Sequence, residues 1–476
     1  MKLTARRSRL LPVLMYATLT SAIVSSLGML LVPTISEEMD IPVSAGQWML
    51  TINLLVGAVA TPIMGRLSDG PHKKRLLLSS LVIVLVGSII AAAAPNFTVF
   101  LVGRALQGLA YGIAPVTISL ARRYLSESKV SAGISGLSVV VSTGLGLGYP
   151  LTGIMASLFG FRSAFAFSAS FLVTAIAAVC LIVPTGPDET AVTSHFDFPG
   201  ALLLGGGLAT LLVAVSEGSN WGWGSPGTTS LFASSAILLS LWTAVEMRSA
   251  QPLVNLRVLR NGDVLLANAT AIGLGATMYM TLSIISLIAQ APTPTGYGLQ
   301  LPLFWAGFVM LPLSLGSLVA NRLVRRVAVW IRMPNLLLLG ILLVTASTFL
   351  LWIAHDQLWK IMIWMLSFGV GVGMTYAAMP VLIARVVAAQ QIGSAVSFNQ
   401  VLRTVGGSFG SALSGAILAA HIAPDLRPTG PAINLSLALG AIGCFLVFTA
   451  IAINQLKRLL ADKPDHRRTA ARPSSR

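Results

Sequence analysis

A chain of 476 residues that is 55% hydrophobic and only 10% charged, with a mean hydropathy of +0.83, excludes an ordinary water-soluble fold, in which about a quarter of residues are charged. A net charge of +16 does not indicate a nucleic-acid reader, because Lys and Arg punctuate apolar runs rather than gathering on one soluble face. The only two cysteines, Cys180 and Cys444, sit inside apolar runs, so neither a disulfide framework nor a metal site is expected.

Read in chain order, the apolar runs are long enough to cross a bilayer at about 20 residues each. The start, MKLTARRSRLLPVLMYATLTSAIV, has the basic-then-apolar order of a signal peptide, but its apolar stretch continues to Val32. It is read as an uncleaved first spanning helix over 12–33. Further spans fall at 47–65, 76–94, 98–120, 132–158, 163–184 and 199–216, then at 229–246, 264–290, 302–320, 334–354, 361–384, 394–419 and 434–455. This even count places both termini on one side. Loop charge supports the count and makes that side cytoplasmic: of the loop and terminal Lys and Arg, only Arg162, Lys360 and Arg427 fall opposite. The loop 185–198 is irregular, carrying Asp188, Glu189 and Asp197 but no base; a misplaced helix pair there stays open. GLAYGIAPVTI from Gly108 aligns with GMTYAAMPVLI from Gly373, as a duplication of six spans with two inserted between them would require.

The motifs lie on this framework. After the second span, GRLSDGPHKKR runs from Gly65 to Arg75. Asp69 can accept charge-assisted hydrogen bonds from a helix N-terminus or an Arg across an interface, while Arg66, Lys73, Lys74 and Arg75 hold the cytoplasmic edge; a plain charged turn is the alternative. Arg104 stands in an apolar helix beside Gln107 and Gly108. Burying it costs at least about 2.5 kcal/mol, so it either faces the interior with a partner or snorkels to the interface. Span five crowds Gly144, Gly146, Gly148 and Gly153 around Pro150, which permits close packing and a bend. Span thirteen sets Arg403 beside Gly406, Gly407 and Gly410, with Asn399 one turn earlier. Arg403 either lines a cavity or bonds neighbouring carbonyls.

The Gly65–Arg75 loop resembles the motif between helices two and three of the major facilitator superfamily, matching at Gly65, Leu67, Asp69 and the basic end, with His72 where a Gly is usual. WMLTINLLVGAVATPIMGRLSD from Trp48, SEGSNWGWGSP from Ser216 and VEMRSAQPLVNLRVLR from Val245 are similar to the fourteen-helix drug:proton antiporter family of that superfamily. The resemblance covers nearly the whole chain. It implies an all-α integral membrane fold with 14 transmembrane helices, in two six-helix bundles plus two inserted helices. For Arg104, Gln107 and Gly108, which match RxxQG, it implies a part in proton coupling. Span five resembles the antiporter motif, although Tyr149 occupies a Pro position and Thr152 replaces a Gly. In the second half, NRLVRR from Asn321 takes the place of the gating loop without an acid.

Exporters of cationic drugs in this superfamily commonly carry a carboxylate in the first helix; between Leu11 and Val32 this chain has hydroxyls and no acid. A cavity holding Arg104 and Arg403 is then neutral to positive, and suits a neutral or anionic amphiphile. No GxxxxGK[ST] loop is present, so an ion gradient rather than ATP is the expected energy source. The chain thus reads as four parts: a six-helix bundle (1–184), two inserted helices (185–260), a second bundle (261–455) and a basic cytoplasmic tail (456–476). The expected activity is proton-coupled efflux of a small amphiphile such as an antibiotic or secondary metabolite across the cell membrane. The expected partners are the small-molecule substrate, protons and the lipid bilayer, with no nucleic acid, no cofactor and no metal. The protein is read as a monomer and not as an enzyme. An importer on the same fold, and a non-transporting sensor or scaffold, are the rival readings.

Overall fold

The computed structural model describes residues 2–41, 43–46, 48–185, 197–249, 252–327, 330–421 and 427–461. The basic tail beyond 461 and most of the 185–198 loop lie outside the described residues. The first bundle contains α1 (Lys2–Ser26), the short α2 (Val32–Glu38) and α3 (Val43–Gly46), α4 (Trp48–Asp69), α5 (Lys73–Ala93), α6 (Phe97–Gln107), α7 (Ile113–Tyr124), α8 (Glu127–Phe159) and α9 (Phe161–Ile182). The inserted pair is α10 (Phe198–Trp221) and α11 (Pro226–Arg248). The second bundle contains α12 (Gly262–Gln290), α13 (Leu303–Phe308), α14 (Leu311–Val327), α15 (Met333–Ile353), α16 (Leu358–Val386), α17 (Ile392–Ala420) and α18 (Gly430–Ala461).

Each of the fourteen expected spans falls on one of these helices, with α6 and α7 making one span around the 3-10 turn Gly108–Gly112, and α13 and α14 making another. Among the described residues, thirteen helices are long and apolar enough to cross a membrane. The fourteenth, α17, is 29 residues long but carries the polar run SFNQVLRT. It can be less apolar than the others because it packs against α4, α10 and α12, which leaves less of it facing lipid. Helix surfaces turned away from these contacts are apolar, as at Val86, Ile89, Leu181, Ile237 and Leu446; a multi-pass protein presents such surface to hydrocarbon.

The first span departs from expectation. Instead of running as one helix to 33, α1 stops at Ser26 and the chain turns through 27–31, with Gly28 at φ +97°. A side chain on Gly28 would be strained and would press on Met49, 2.6 Å away, with the Arg104 guanidinium at 3.8 Å. The break therefore lies where the first span passes the buried arginine.

The two bundles meet along two seams, α4 against α17 and α8 against α13, α14 and α16. The inserted α10 packs on both α4 and α17, and an apolar cluster of Leu204, Leu208, Trp242, Leu253, Val254 and Val401 ties the pair to the second bundle. Glu246, buried near the end of α11, accepts hydrogen bonds from Trp242 Nε1 (2.9 Å), Leu253 N (3.0 Å) and Val254 N (3.2 Å). It anchors the returning chain and is saturated by that task.

Candidate functional site

At one end of the molecule the α4–α17 seam is fastened by the loop motif. Asp69 is only 5% exposed, and its two carboxylate oxygens accept from Gly393 N (2.7 Å) and Ser394 N (2.9 Å). Those are donors of the first turn of α17, which no earlier residue of the helix can satisfy, and a carboxylate there also meets the positive end of the helix dipole. Of the two partners read from sequence, the helix N-terminus is the one found. Gly65, one turn earlier, faces Ser397 and the carbonyl of Gly393 so closely that a Cβ would overlap both. The basic residues divide their work. Lys73 Nζ donates to Gly70 O (2.9 Å), and Lys74 Nζ donates to Cys180 O (2.9 Å) and Val183 O (2.6 Å), closing the C-terminus of α9. Arg66 is half-buried and Arg75 exposed.

At the opposite end α4 and α17 diverge, and a cavity of about 300 Å³ opens between the bundles. Its wall includes Leu50, Thr51 and Leu54 of α4, Leu282, Ser286 and Gln290 of α12, and Ser408 and Ser411 of α17. Leu212, Ser216 and Ser219 of the inserted α10 also line it, with Thr51 and Ser216 hydroxyls 2.7 Å apart. Beneath lies a chamber of about 20 Å³ reached by Tyr111, Tyr376, Gln400 and Arg403. Tyr279 lines both spaces, so its ring is the wall between them, and its hydroxyl stands 3.4 Å from that of Tyr111 in the other bundle. Neither lining contains a carboxylate.

The expectation that both arginines face a cavity is corrected for Arg104. It is fully buried, which removes the snorkelling alternative, yet it lines neither space. Its Nη1 donates to Gln107 Oε1 (2.6 Å) and its Nε to Met49 O (3.3 Å), with Phe165 beneath at 5.8 Å. Gln107 passes the chain on to Ser88 (2.8 Å), and Asn53 donates to the carbonyl of Arg104 (3.0 Å). Nη2 is buried and has no hydrogen-bond partner among the described residues. The side chain is held inside the first bundle because α5 and α6 approach at Gly87 and Gly103, and α4 meets Gly108.

Arg403 does face the chamber, with its guanidinium 4.0 Å over the Tyr376 ring. Asn399 does not: it donates to Ala267 O (3.1 Å) and Asn268 Oδ1 (2.9 Å), pinning α17 to α12. In span five, Gly144 and Gly148 lie against Leu19, Ala22, Ile23 and Ser26 of α1, whereas Gly153 meets the carbonyls of Leu303 and Phe304 across the second seam. Pro150 lies against Gly307 at that seam. Sequence reasoning did not single out Tyr111, Tyr279, Tyr376 or the α10 serines. Two of these had a signal, since Tyr111 and Tyr376 occupy matching places in the repeated pattern.

A sequence model described as the Major Facilitator Superfamily matches residues 14–411. The Multidrug resistance protein Stp of Mycobacterium tuberculosis is 26% identical over 401 residues, covering 83% of this chain and 73% of that protein. The Puromycin resistance protein pur8 of Streptomyces alboniger is 26% identical over 450 residues, covering 89% of this chain and 84% of its own. The crystal structure of the human organic anion transporter MFSD10 (TETRAN) superposes with a TM-score of 0.64 over 94% of this chain and 99% of that one. At 16% sequence identity this likeness establishes a shared fold.

Proposed function

Because the chain belongs to the Major Facilitator Superfamily, we propose that it exports a small amphiphilic compound, such as an antibiotic or secondary metabolite, across the cell membrane in exchange for protons. The observation that carries this reading is the pairing of a fastened seam at one end with an open cavity at the other. With both termini and the Gly65–Arg75 loop in the cytoplasm, as the loop charges favour, the cavity faces outward and Asp69 closes the inner side. That is the release state of an alternating-access exporter. The resistance proteins similar to it along most of their length support export over import.

In this reading the working units are a bundle over 1–184, the inserted helices over 185–260, a second bundle over 261–455 and a cytoplasmic tail over 456–476. The protein acts as a monomeric carrier with no chemical step. Asp69, Gly65 and the basic residues form the inner gate, Arg104 with Gln107 orders the first bundle during proton coupling, and Gly144, Gly148, Pro150 and Gly153 shape the helix on which the bundles rock.

Inverted vesicles carrying the protein test this reading, with neutral, anionic and cationic fluorescent compounds offered with and without an imposed proton gradient. Gradient-dependent uptake of neutral or anionic compounds is expected. Uptake that ignores the gradient, or that runs only in the opposite direction, contradicts it.

A further inference from the structure

The chamber beneath Tyr279 has an imbalance of donors over acceptors. Arg403 is 7% exposed and, among the described residues, its guanidinium forms neither an ion pair nor a hydrogen bond; it rests on the Tyr376 ring at 4.0 Å. A guanidinium carries five N–H donors and no acceptor, and ring stacking fixes its plane while leaving its edge free. The neighbouring hydroxyls are held weakly. Tyr111 and Tyr279 share one long contact of 3.4 Å, and Tyr376 donates only to Met278 Sδ at 3.7 Å. By contrast Ser21 and Thr18 are engaged with backbone carbonyls of their own helix. The chamber therefore offers one cation, three tyrosine hydroxyls and the side-chain amide of Gln400, whose single carbonyl oxygen cannot satisfy five guanidinium donors, and no acid lines it.

We propose that this chamber is the headgroup site for an organic anion, a carboxylate on a planar apolar body. The carboxylate pairs with the free edge of Arg403 and accepts from Tyr111 or Tyr279, and both are the strong class of charge-assisted bond. The two tyrosines form the lid: their mutual contact yields when the head passes, and the body then occupies the larger space walled by Leu50, Leu54 and Leu282. This names the substrate class of the site in the export reading above, but the binding it asserts requires no gradient and no direction of transport.

Thermal unfolding of the purified full chain, titrated with three ligands on one naphthalene body, tests it directly: 2-naphthoate, 2-naphthalenemethanol and 2-naphthylmethylammonium. A ligand that binds the native state raises the midpoint in proportion to its occupancy. Naphthoate is expected to half-saturate at a concentration at least about tenfold below that of the alcohol, with the ammonium weakest. Arg403→Gln should bring the naphthoate value to that of the alcohol measured on the same variant, and a cooperative unfolding transition of the ligand-free variant reports that it is folded. Arg403→Lys keeps the charge but loses the planar stack, so the order should survive with a gap of a few fold; this variant carries the test should Arg403→Gln not fold. Ammonium binding as tight as naphthoate, an unchanged preference in Arg403→Gln, or equal saturation by sodium chloride through Arg403 would each overturn the proposal. Failure of gradient-driven uptake in vesicles would leave this affinity order measurable, and failure of the order would leave export of neutral compounds standing.

Discussion

The fourth and twelfth spans carry the same sequence pattern, and their two tyrosines, Tyr111 and Tyr376, reach the same chamber, yet the spans are built differently. The fourth is interrupted by a 3-10 turn at Gly108–Gly112, while the twelfth is one continuous helix over Leu358–Val386. Four residues before the shared glycine stands Arg104 in one and Gly369 in the other. The second charge, Arg403, occupies a different helix. Gly406 and Gly410 approach α12 as Gly144 and Gly148 approach α1, which sets Arg403 opposite Val141, a neighbour in the same chamber. The gating loops differ in the same way: Asp69 holds the N-terminus of α17, while in the matching stretch of the second half Asn321 has a buried Oδ1 with no partner among the described residues. Duplication supplies the scaffold, and Asp69, Arg104 and Arg403 are each present in one copy alone.

If that division is right, changes to the duplicated scaffold should cost the fold, and changes to the single charges should cost the cycle. The largest effect is expected at Gly275 of α12, where a Cβ would overlap the carbonyl of Arg403. Gly275→Leu should abolish a monodisperse peak on size-exclusion chromatography, since overpacking against rigid backbone has no relief. Next is Arg104. Arg104→Leu removes two hydrogen bonds of a charged donor and strands Gln107, costing about 2–4 kcal/mol; transport should fall at least tenfold. Its mirror, Gly369, faces backbone of α14, so Gly369→Arg should fail to fold rather than create a second site.

A smaller effect is expected at the gate. Asp69→Asn keeps one acceptor but loses the charge at the helix N-terminus, worth about 1–2 kcal/mol, so the closed-to-open ratio should fall roughly 5- to 30-fold. Maleimide labelling of Ser397→Cys in a Cys180→Ser background reads that change, and unaltered labelling would show that Asp69 does not hold the seam. The smallest is Tyr111→Phe, which removes the long contact to Tyr279 and one of the two hydroxyls offered to the carboxylate; with Tyr279 left to donate, naphthoate affinity should fall by only a few fold.

Much of this was legible in the sequence, because a bilayer permits few backbone solutions and each apolar run of sufficient length had to be a helix. Asp69 was legible for a similar reason: an acid among bases at a helix end seeks either a cation or a helix N-terminus. The destination of Arg104 was not, since whether a charge in an apolar helix faces a cavity or a packed bundle depends on how closely neighbouring helices approach. That approach is set by Gly87, Gly103 and Gly108 acting together. Nor was the role of Asn399 legible, since its bonds to Ala267 O and Asn268 Oδ1 depend on how closely α12 packs on α17. The role of α10 in lining the cavity depends on two bundles diverging, which periodicity along one chain does not encode.

The central claim is that the α4–α17 seam is a gate that opens, rather than a permanent contact. A side chain at position 393 would point directly at Ser68, so Ser68→Cys with Gly393→Cys, in a background lacking Cys180 and Cys444, can be joined across the seam by mild oxidation. The account predicts that oxidation arrests gradient-driven uptake in inverted vesicles and that reduction restores it. Uptake continuing undiminished with the crosslink in place would contradict it.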